Sequence, residues 1–479
     1  MTTWNDLFRT NFAESDDPAV VTSAFSWSGR QLARRAGGAA EWLDQLGFGP
    51  GEYVPMIIDE TPEAIALAVG ATLSRRVPAP LGTKLPAGDL AAAIDALGGK
   101  VIVADARTAE LAQAAAALIG ARVAVLGELP EADVPTEAKY GAVGIDEIAL
   151  VIHTSGTTGL PKPIPASHRR LVARIRIYTG TMGIGPTDRY CSASPFAHTA
   201  GVAMAYTVLA IGASIIPQDW FSIDKWREAG RLGVTCALLV PTMIDILLGA
   251  DALADANPRV LQYGASPIHP DTLAAALRAL PDTRFVQVFG QTEVSPICVL
   301  THEDHMRALH DRPDLLGTVG RPPAGVELRV EHPDSEGIGE IAVRSEHAFV
   351  TDADGWRRTG DFGRADDEGY YSLHGRVNDR IVRGGENIYP VEVEVALVSH
   401  PGVREAAVVG SPDRRYGEVV KAVVVCEAVF DPAVARPTVD ELQLHVRNQL
   451  AHFKVPAIIE FADELPRNAS GKVLRRKLI

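Results

Sequence analysis

Short apolar runs alternate with longer Ala- and Leu-rich runs through the first part of the chain. Residues 53–58, 100–104 and 123–126 are apolar and β-rich and predict strands, whereas 63–73, 88–97 and 109–118 predict helices. This alternation predicts an α/β architecture whose parallel strands are buried under helices. Residues 148–153 predict a strand that runs straight into a loop, and 235–239 and 284–289 predict further buried strands. From about residue 326 strands dominate, at 326–331 and 340–345, and Asp366-Asp367-Glu368-Gly369 predicts a turn before a strand at 370–373. A helix at 391–399, strands at 406–409 and 419–425 and a helix at 438–450 then predict a compact α+β module. Its size, roughly 100 residues, is that of a small domain.

Length and composition narrow this picture. A chain of 479 residues exceeds one ordinary core and predicts two or three domains. An apolar share of 47% is that of a soluble globular protein, and a net charge of −14 argues against nucleic acid or an anionic membrane as partner. No basic-then-apolar signal opens the chain, no apolar run reaches membrane-spanning length, and no fused carrier domain is expected after the C-terminal motif. Cys191, Cys236, Cys298 and Cys426 lie far apart without CxxC spacing, so buried thiols in a reducing compartment are expected, with the cytoplasm as location.

Candidate chemistry begins at His153-Thr154-Ser155-Gly156-Thr157-Thr158-Gly159-Leu160-Pro161-Lys162. Small residues let backbone N–H groups approach a phosphate, hydroxyls donate to it, and an ammonium neutralises it. The spacing is not that of a Walker A loop, so a nucleoside triphosphate would be held with a different geometry.

Further motifs come in order: Pro195-Phe196-Ala197-His198, Tyr263-Gly264-Ala265-Ser266, Phe289-Gly290-Gln291-Thr292-Glu293, Trp356-Arg357-Arg358-Thr359-Gly360-Asp361, Gly375-Arg376, Gly384-Gly385-Glu386-Asn387-Ile388-Tyr389-Pro390 and Asn468-Ala469-Ser470-Gly471-Lys472. This order resembles the adenylate-forming superfamily of acyl- and aryl-CoA synthetases, adenylation domains and luciferases, across essentially the whole chain. The Gly384–Pro390 segment looks most like the acyl/aryl-CoA ligase branch. The resemblance implies an α/β fold. A large N-terminal domain of helix-flanked mixed sheets plus a β-rich subdomain would span 1–377, and a small mobile α+β C-terminal domain 378–479, hinged at Asn378. It implies activation of a carboxylic acid as acyl-AMP and transfer of the acyl group to CoA in one alternating site, with ATP, Mg2+ and CoA as cofactors.

By the same resemblance, Thr154, Ser155, Gly156, Thr157, Thr158, Gly159 and Lys162 cradle the β- and γ-phosphates. Glu293 holds Mg2+, as a carboxylate suits a hard cation. Phe289 covers the adenine, Gly264, Ala265 and Ser266 meet its edge, and Gly290, Gln291 and Thr292 complete the nucleotide site. Asp361 accepts from the ribose hydroxyls, Arg376 supports ribose and phosphate, and Lys472 bridges the acid and the α-phosphate. His198 gates the acyl pocket and pairs with Glu386 in the second half-reaction, when Gly384 and Gly385 flank the pantetheine tunnel. The pocket is expected from His198, Thr199, Gly201, Val202, Tyr263, Gly264, Gly290, Val294 and Ser295, many of them small, leaving room for an aryl or bulky alicyclic acid. No carboxylate stands in Phe196-Ala197-His198 to meet an ammonium, so an α-amino acid is not expected.

Three positions depart from the family pattern. Pro163 stands where glycine normally comes after the loop lysine, and with Pro161 and Pro165 it stiffens a loop that closes over pyrophosphate. Gln291 replaces a small hydroxyl residue, and Asn378 replaces a charged hinge residue. These departures suggest a second reading, in which the chain mainly converts an acyl-adenylate supplied by a partner enzyme into a thioester. A catalytically inactive nucleotide-binding protein and an enzyme that loads a carrier-protein thiol are the further alternatives. Expected partners are the acid or its adenylate, CoA, that separate adenylating enzyme, and a second copy of the chain as a homodimer. Arg169, Arg170, Arg174 and Arg176 are expected on a solvated helix face, and His302, His305 and His310 on an exposed helix face rather than around a metal.

Overall fold

A computed structural model describes residues 2–155, 161–266, 268–429, 433–467 and 473–479, with backbone alone at Ser155 and Asn378. The chain divides into two compact units, Met1–Glu327 with Arg344–Arg357, and Leu328–Val343 with Arg358–Ile479.

In the larger unit the main sheet has eight strands in the order Val294–Leu300, Arg284–Gln291, Val260–Gly264, Cys236–Leu239, Arg189–Ser192, Ser214–Pro217, Pro18–Val21 and Ser26–Ser28. The inner six run parallel, and the two edge strands run antiparallel. Cys236–Leu239 is buried at every position, the mark of a parallel strand covered on both faces. A second, all-parallel sheet orders Val77–Pro80, Tyr53–Ile57, Val101–Ala104 and Arg122–Val125. Its crossover helices Pro62–Leu73, Ala87–Ala96 and Ala109–Ile119 lie within a residue or so of the expected spans. Local chemistry sets several helix starts: Thr3 with Asp6, Ser28 with Gln31 and Thr301 with Asp304 each form a reciprocal capping box. All four cysteines are buried and free, as expected.

The smaller unit holds a four-stranded sheet, Glu327–Glu331, Gly339–Arg344, Arg357–Ala365 and Tyr371–Arg376, of which only the terminal residues Glu327, Arg344 and Arg357 belong to the larger unit. It also holds a five-stranded sheet built on the long pair Val403–Asp413 and Gly417–Cys426. Helix Pro390–Val398 begins on a proline, whose missing N–H costs nothing in a first turn. The Tyr389 ring just before it meets Phe362 edge-on at 5.3 Å between centroids.

Two expectations about helix faces are corrected. Arg174 is 1% exposed rather than solvated. Leu171, Arg174, Ile175, Tyr178 and Met182 share the i, i+3, i+4, i+7 stripe of helix His168–Met182 and are all buried. His305 is likewise buried, its Nε2 at 2.8 Å from the Tyr263 hydroxyl and its Nδ1 at 2.6 Å from the Thr301 carbonyl oxygen. Burial drives its pKa down to about 4, so the ring is neutral at pH 7.

Glu60, just past strand Tyr53–Ile57, is 4% exposed, and burial pushes its carboxyl up to about 8, partly offset by the Gln218 backbone N–H. Between the ordinary value of 4.5 and about 8 the folded chain keeps a proton that the unfolded chain has released. Stability therefore falls as pH rises through that window. Glu60→Gln, which mimics the neutral acid, is expected to match the wild type near pH 5 and to be the more stable of the two at pH 9. Urea unfolding at the two pH values measures this, and a pH-independent difference would remove Glu60 as the source.

Candidate functional site

Parallel strands put their carboxyl ends at one edge of a sheet, and ligands bind where such ends open into loops. Arg189–Ser192, Cys236–Leu239, Val260–Gly264 and Arg284–Gln291 are consecutive parallel neighbours. The segments that leave these carboxyl ends therefore gather at one edge: Pro195 to His198, Gly264 to Ser266, and Thr292 with Glu293.

Each segment has its own local cause. After the first strand the chain folds back on itself: His198 N–H donates to the Pro195 carbonyl at 2.9 Å and Val202 N–H to the Phe196 carbonyl at 3.1 Å. His198 then caps a π-helical turn, Thr199–Ala203, of a kind often found at functional sites. Its imidazole is partly exposed, and burial lowers its pKa, so it is neutral at pH 7. The Thr199 hydroxyl is buried without a partner among the described residues. Beneath this turn, Arg174 donates to the Ala203 carbonyl at 3.0 Å and to the Thr207 hydroxyl.

Gly264 ends its strand against Val288, and a Cβ there would lie 2.2 Å from the Val288 carbonyl oxygen, so the packing demands glycine. Ala265 comes next with φ +69°, a left-handed conformation that costs energy for a residue with a Cβ and turns exposed Ala265 and Ser266 out of the sheet. Tyr263 points the other way: its ring is fully buried and its hydroxyl is bound to His305.

Thr292 and Glu293 form the two-residue tip of a hairpin, since Gln291 pairs with Val294. Phe289 and Gly290, just before the tip, are partly exposed, as is Ser295, whose hydroxyl is 3.0 Å from the Tyr178 hydroxyl. Val202 and Val294 are fully buried. The Glu293 carboxylate, 19% exposed, pairs with Arg357 at 3.2 Å.

The strands on either side of the segment expected to cradle phosphate pair as a second hairpin. Strands Ile148–Ser155 and Pro161–Ser167 pair Thr154 with Lys162 and His153 with Pro163. The second strand belongs to a two-stranded sheet and is therefore an edge. Pro161, Pro163 and Pro165 alternate along it, so their missing N–H groups all fall on one side, and Lys162, Ile164 and Ala166 keep their donors for the other. The Lys162 side chain is exposed and Thr154 is partly buried. His153 is buried with Nδ1 at 3.0 Å from the Pro80 carbonyl oxygen, and burial lowers it to about 4. Gly156, Thr157, Thr158 and Gly159 lie outside the described residues, as does the Ser155 side chain.

In the smaller unit Asp361 and Arg376 are direct cross-strand partners, and their side chains meet at 2.7 Å with Asp361 only 5% exposed. Gly384 and Gly385, at φ +60° and +95°, form the two-residue turn between Ile381–Arg383 and Glu386–Ile388. Two successive left-handed residues are what a tight hairpin of this type requires, so the turn itself accounts for both glycines. The Glu386 side chain is exposed. Asn378 sits in the short 3-10 turn Val377–Asp379, and Lys472 lies outside the described residues. Among the described residues no group of His, Cys, Asp and Glu is arranged to hold a metal as a cluster, and no helix is long and apolar enough to cross a membrane.

Residues 7–350 match the AMP-binding enzyme family, and residues 392–472 match the AMP-binding enzyme C-terminal domain. The chain belongs to the AMP-binding enzymes. Among relatives of this AMP-binding enzyme, the fatty acid–[acyl-carrier-protein] ligase ScoC of Streptomyces coeruleorubidus is 31% identical over 97% of this chain and 93% of its own. A feruloyl-CoA synthase of an Amycolatopsis species is 32% identical over 93% of this chain and 92% of its own. The solved amide bond synthetase McbA from Marinactinospora thermotolerans superposes with a TM-score of 0.87 at 28% identity, covering 99% of each chain. The chain falls in the acyl/aryl-CoA ligase group, AMP-forming acid–thiol ligases that use ATP, Mg2+ and CoA. Its residues fit a nucleotide. A partly exposed aromatic at 289, outward-turned backbone at 265–266, an exposed ammonium at Lys162 and a hard oxygen donor at Glu293 are the donor types that adenine, phosphate and Mg2+ require.

Proposed function

We propose that this AMP-binding enzyme activates an aryl or bulky alicyclic carboxylic acid as its acyl-adenylate and transfers the acyl group to CoA. The observation that carries the reading is the shared edge of parallel strands that bears His198, Gly264 to Ser266 and Glu293. The acid carboxylate attacks the α-phosphate, a new P–O bond forms, and pyrophosphate leaves. The thiol sulfur then attacks the acyl carbonyl, loses its proton, and AMP leaves. Lys162 with the hydroxyls of residues 154–158 holds the departing phosphates, while Phe289, Gly264, Ala265 and Ser266 hold the adenine, with Gly290, Gln291 and Thr292 beside it. Asp361 and Arg376 hold the ribose. Mg2+ at Glu293 supplies charge neutralisation for the first step. Lys472 guides the acid onto phosphorus. In the second step it gives way to the Gly384-Gly385 hairpin by rotation about Asn378, which brings Glu386 to His198. A neutral His198 and the apolar Ala197, Gly201, Val202 and Val294 suit an uncharged acyl body better than an ammonium.

A second reading, thioester formation from a supplied adenylate, is favoured by one observation: the expected metal carboxylate already carries a guanidinium. Purified protein is to be given a panel of aryl and alicyclic acids with ATP, Mg2+ and CoA, and separately the matching presynthesised acyl-adenylates with CoA. Thioester from both is expected for the two-step ligase. Thioester from the adenylates alone would establish the second reading. Activity only with a carrier-protein thiol would replace CoA as acceptor, and no thioester under any condition, with ATP still bound, would leave a nucleotide-binding protein without catalysis.

A further inference from the structure

Glu293 and Arg357 stand in two separate motifs of the sequence with nothing to join them, and the structure makes them a pair. Segment 347–357 is fastened to the Glu293 hairpin at three points. His347 Nε2 lies 2.9 Å from the Pro296 carbonyl oxygen, Phe349 N–H donates to the Glu293 carbonyl at 2.7 Å, and Arg357 Nη2 donates to Glu293 Oε1 at 3.2 Å. His347 is fully buried, so the fastening is part of the core rather than a surface contact. Arg357 is 25% exposed and Glu293 19% exposed, a setting in which a charge pair is only partly screened. Asp352, at 4.0 Å, adds a second carboxylate to the guanidinium.

We infer that Arg357 is a resident counter-ion on Glu293, a positioning residue that holds the carboxylate ready and that a divalent cation must compete with. This rests on the proposed metal role of Glu293. Adenylation, the step that uses the metal, then demands more cation than thioester formation does. Removing the guanidinium removes a positive charge beside the metal position, and metal binding tightens, most at low ionic strength where the charge is least screened.

Mn2+ binding is followed by electron paramagnetic resonance, in the presence of saturating α,β-methylene-ATP, for the wild type, Arg357→Leu, Arg357→Lys, Glu293→Gln and the double variant. Thermal unfolding confirms that each is folded. Arg357→Leu is expected to bind Mn2+ about 3- to 10-fold more tightly, with the gain shrinking as salt rises. Arg357→Lys, which keeps the charge, is expected to stay near the wild type. The double variant should bind as weakly as Glu293→Gln, because without the carboxylate the arginine has nothing to contest. Weaker or unchanged binding by Arg357→Leu, with a loss in Glu293→Gln, would overturn the counter-ion role alone and turn Arg357 into a phosphate-side or purely structural residue. Unchanged binding in Glu293→Gln would remove Glu293 from the metal site and the inference with it.

Discussion

Replacing Asp361 by alanine is expected to lower kcat/KM for ATP about 10²- to 10³-fold, a loss of about 3–4 kcal/mol. The carboxylate is 5% exposed and is held at 2.7 Å by Arg376 from the facing strand. Its backbone N–H donates to the Thr359 hydroxyl, so the turn through Thr359 and Gly360 aims it as well. A buried carboxylate can accept from two adjacent ribose hydroxyls at once, and its removal leaves those donors and Arg376 unsatisfied together. Asp361→Asn keeps one acceptor oxygen and loses the charge, and about a tenfold loss is expected. Pyrophosphate release at varied ATP measures both variants, and AMP affinity by calorimetry separates nucleotide binding from a loosened strand pair. An Asp361→Ala enzyme within threefold of the wild type for ATP and AMP would reduce the pair to a lock between two strands.

Much of this arrangement is legible in the chain, and the reasons are specific. The crossover strands and helices show because a parallel sheet makes its strands apolar throughout and its helices one-sided. Strand Val101–Ala104 and helix Ala109–Ile119 are examples. The nucleotide motifs show through their order along the chain, and the cross-strand register explains why two of them, Asp361 and Arg376, are partners although 15 residues separate them. Single positions are harder. Pro163 reads in the sequence as damage to a loop, whereas prolines at every second position are the signature of an edge strand. Gly384 and Gly385 read as walls of a tunnel, and their positive φ values show that a tight turn needs them first. Arg357 and Arg358 are adjacent in sequence but, on a strand, point to opposite faces, one to Glu293 and the other to Glu331. Nothing in the sequence marks which arginine meets Glu293, the proposed metal carboxylate. Lys472 and the apex of the phosphate loop lie outside the described residues, so their roles stand on motif order.

At Arg174 charge outweighs periodicity when the sequence is read alone, and the correction leads to a second large effect. Four arginines in eight residues suggest a solvated face, yet position 174 falls on the same stripe as Leu171, Ile175 and Tyr178. Its guanidinium lies over the Tyr178 ring at 4.1 Å, donates to the Ala203 carbonyl oxygen, and contacts the Met204 sulfur at 3.3 Å. Among the described residues no carboxylate pairs with it, its Nε has no partner, and burial lowers its pKa. Arg174→Ala empties a packed volume and orphans the acceptors under the π-helical turn, and a loss of about 3–5 kcal/mol is expected. Arg174→Met fills the space and removes an uncompensated charge, so its stability is expected within about 1 kcal/mol of the wild type. The turn that Arg174 braces carries His198 at its cap, so the methionine variant should raise KM for the acid while leaving KM for ATP unchanged. Urea unfolding of both variants, with steady-state kinetics of the methionine enzyme, measures this. Equal losses in stability for alanine and methionine would mean that the hydrogen bonds rather than the filled volume hold the turn. An unchanged KM for the acid would detach the brace from the acyl pocket.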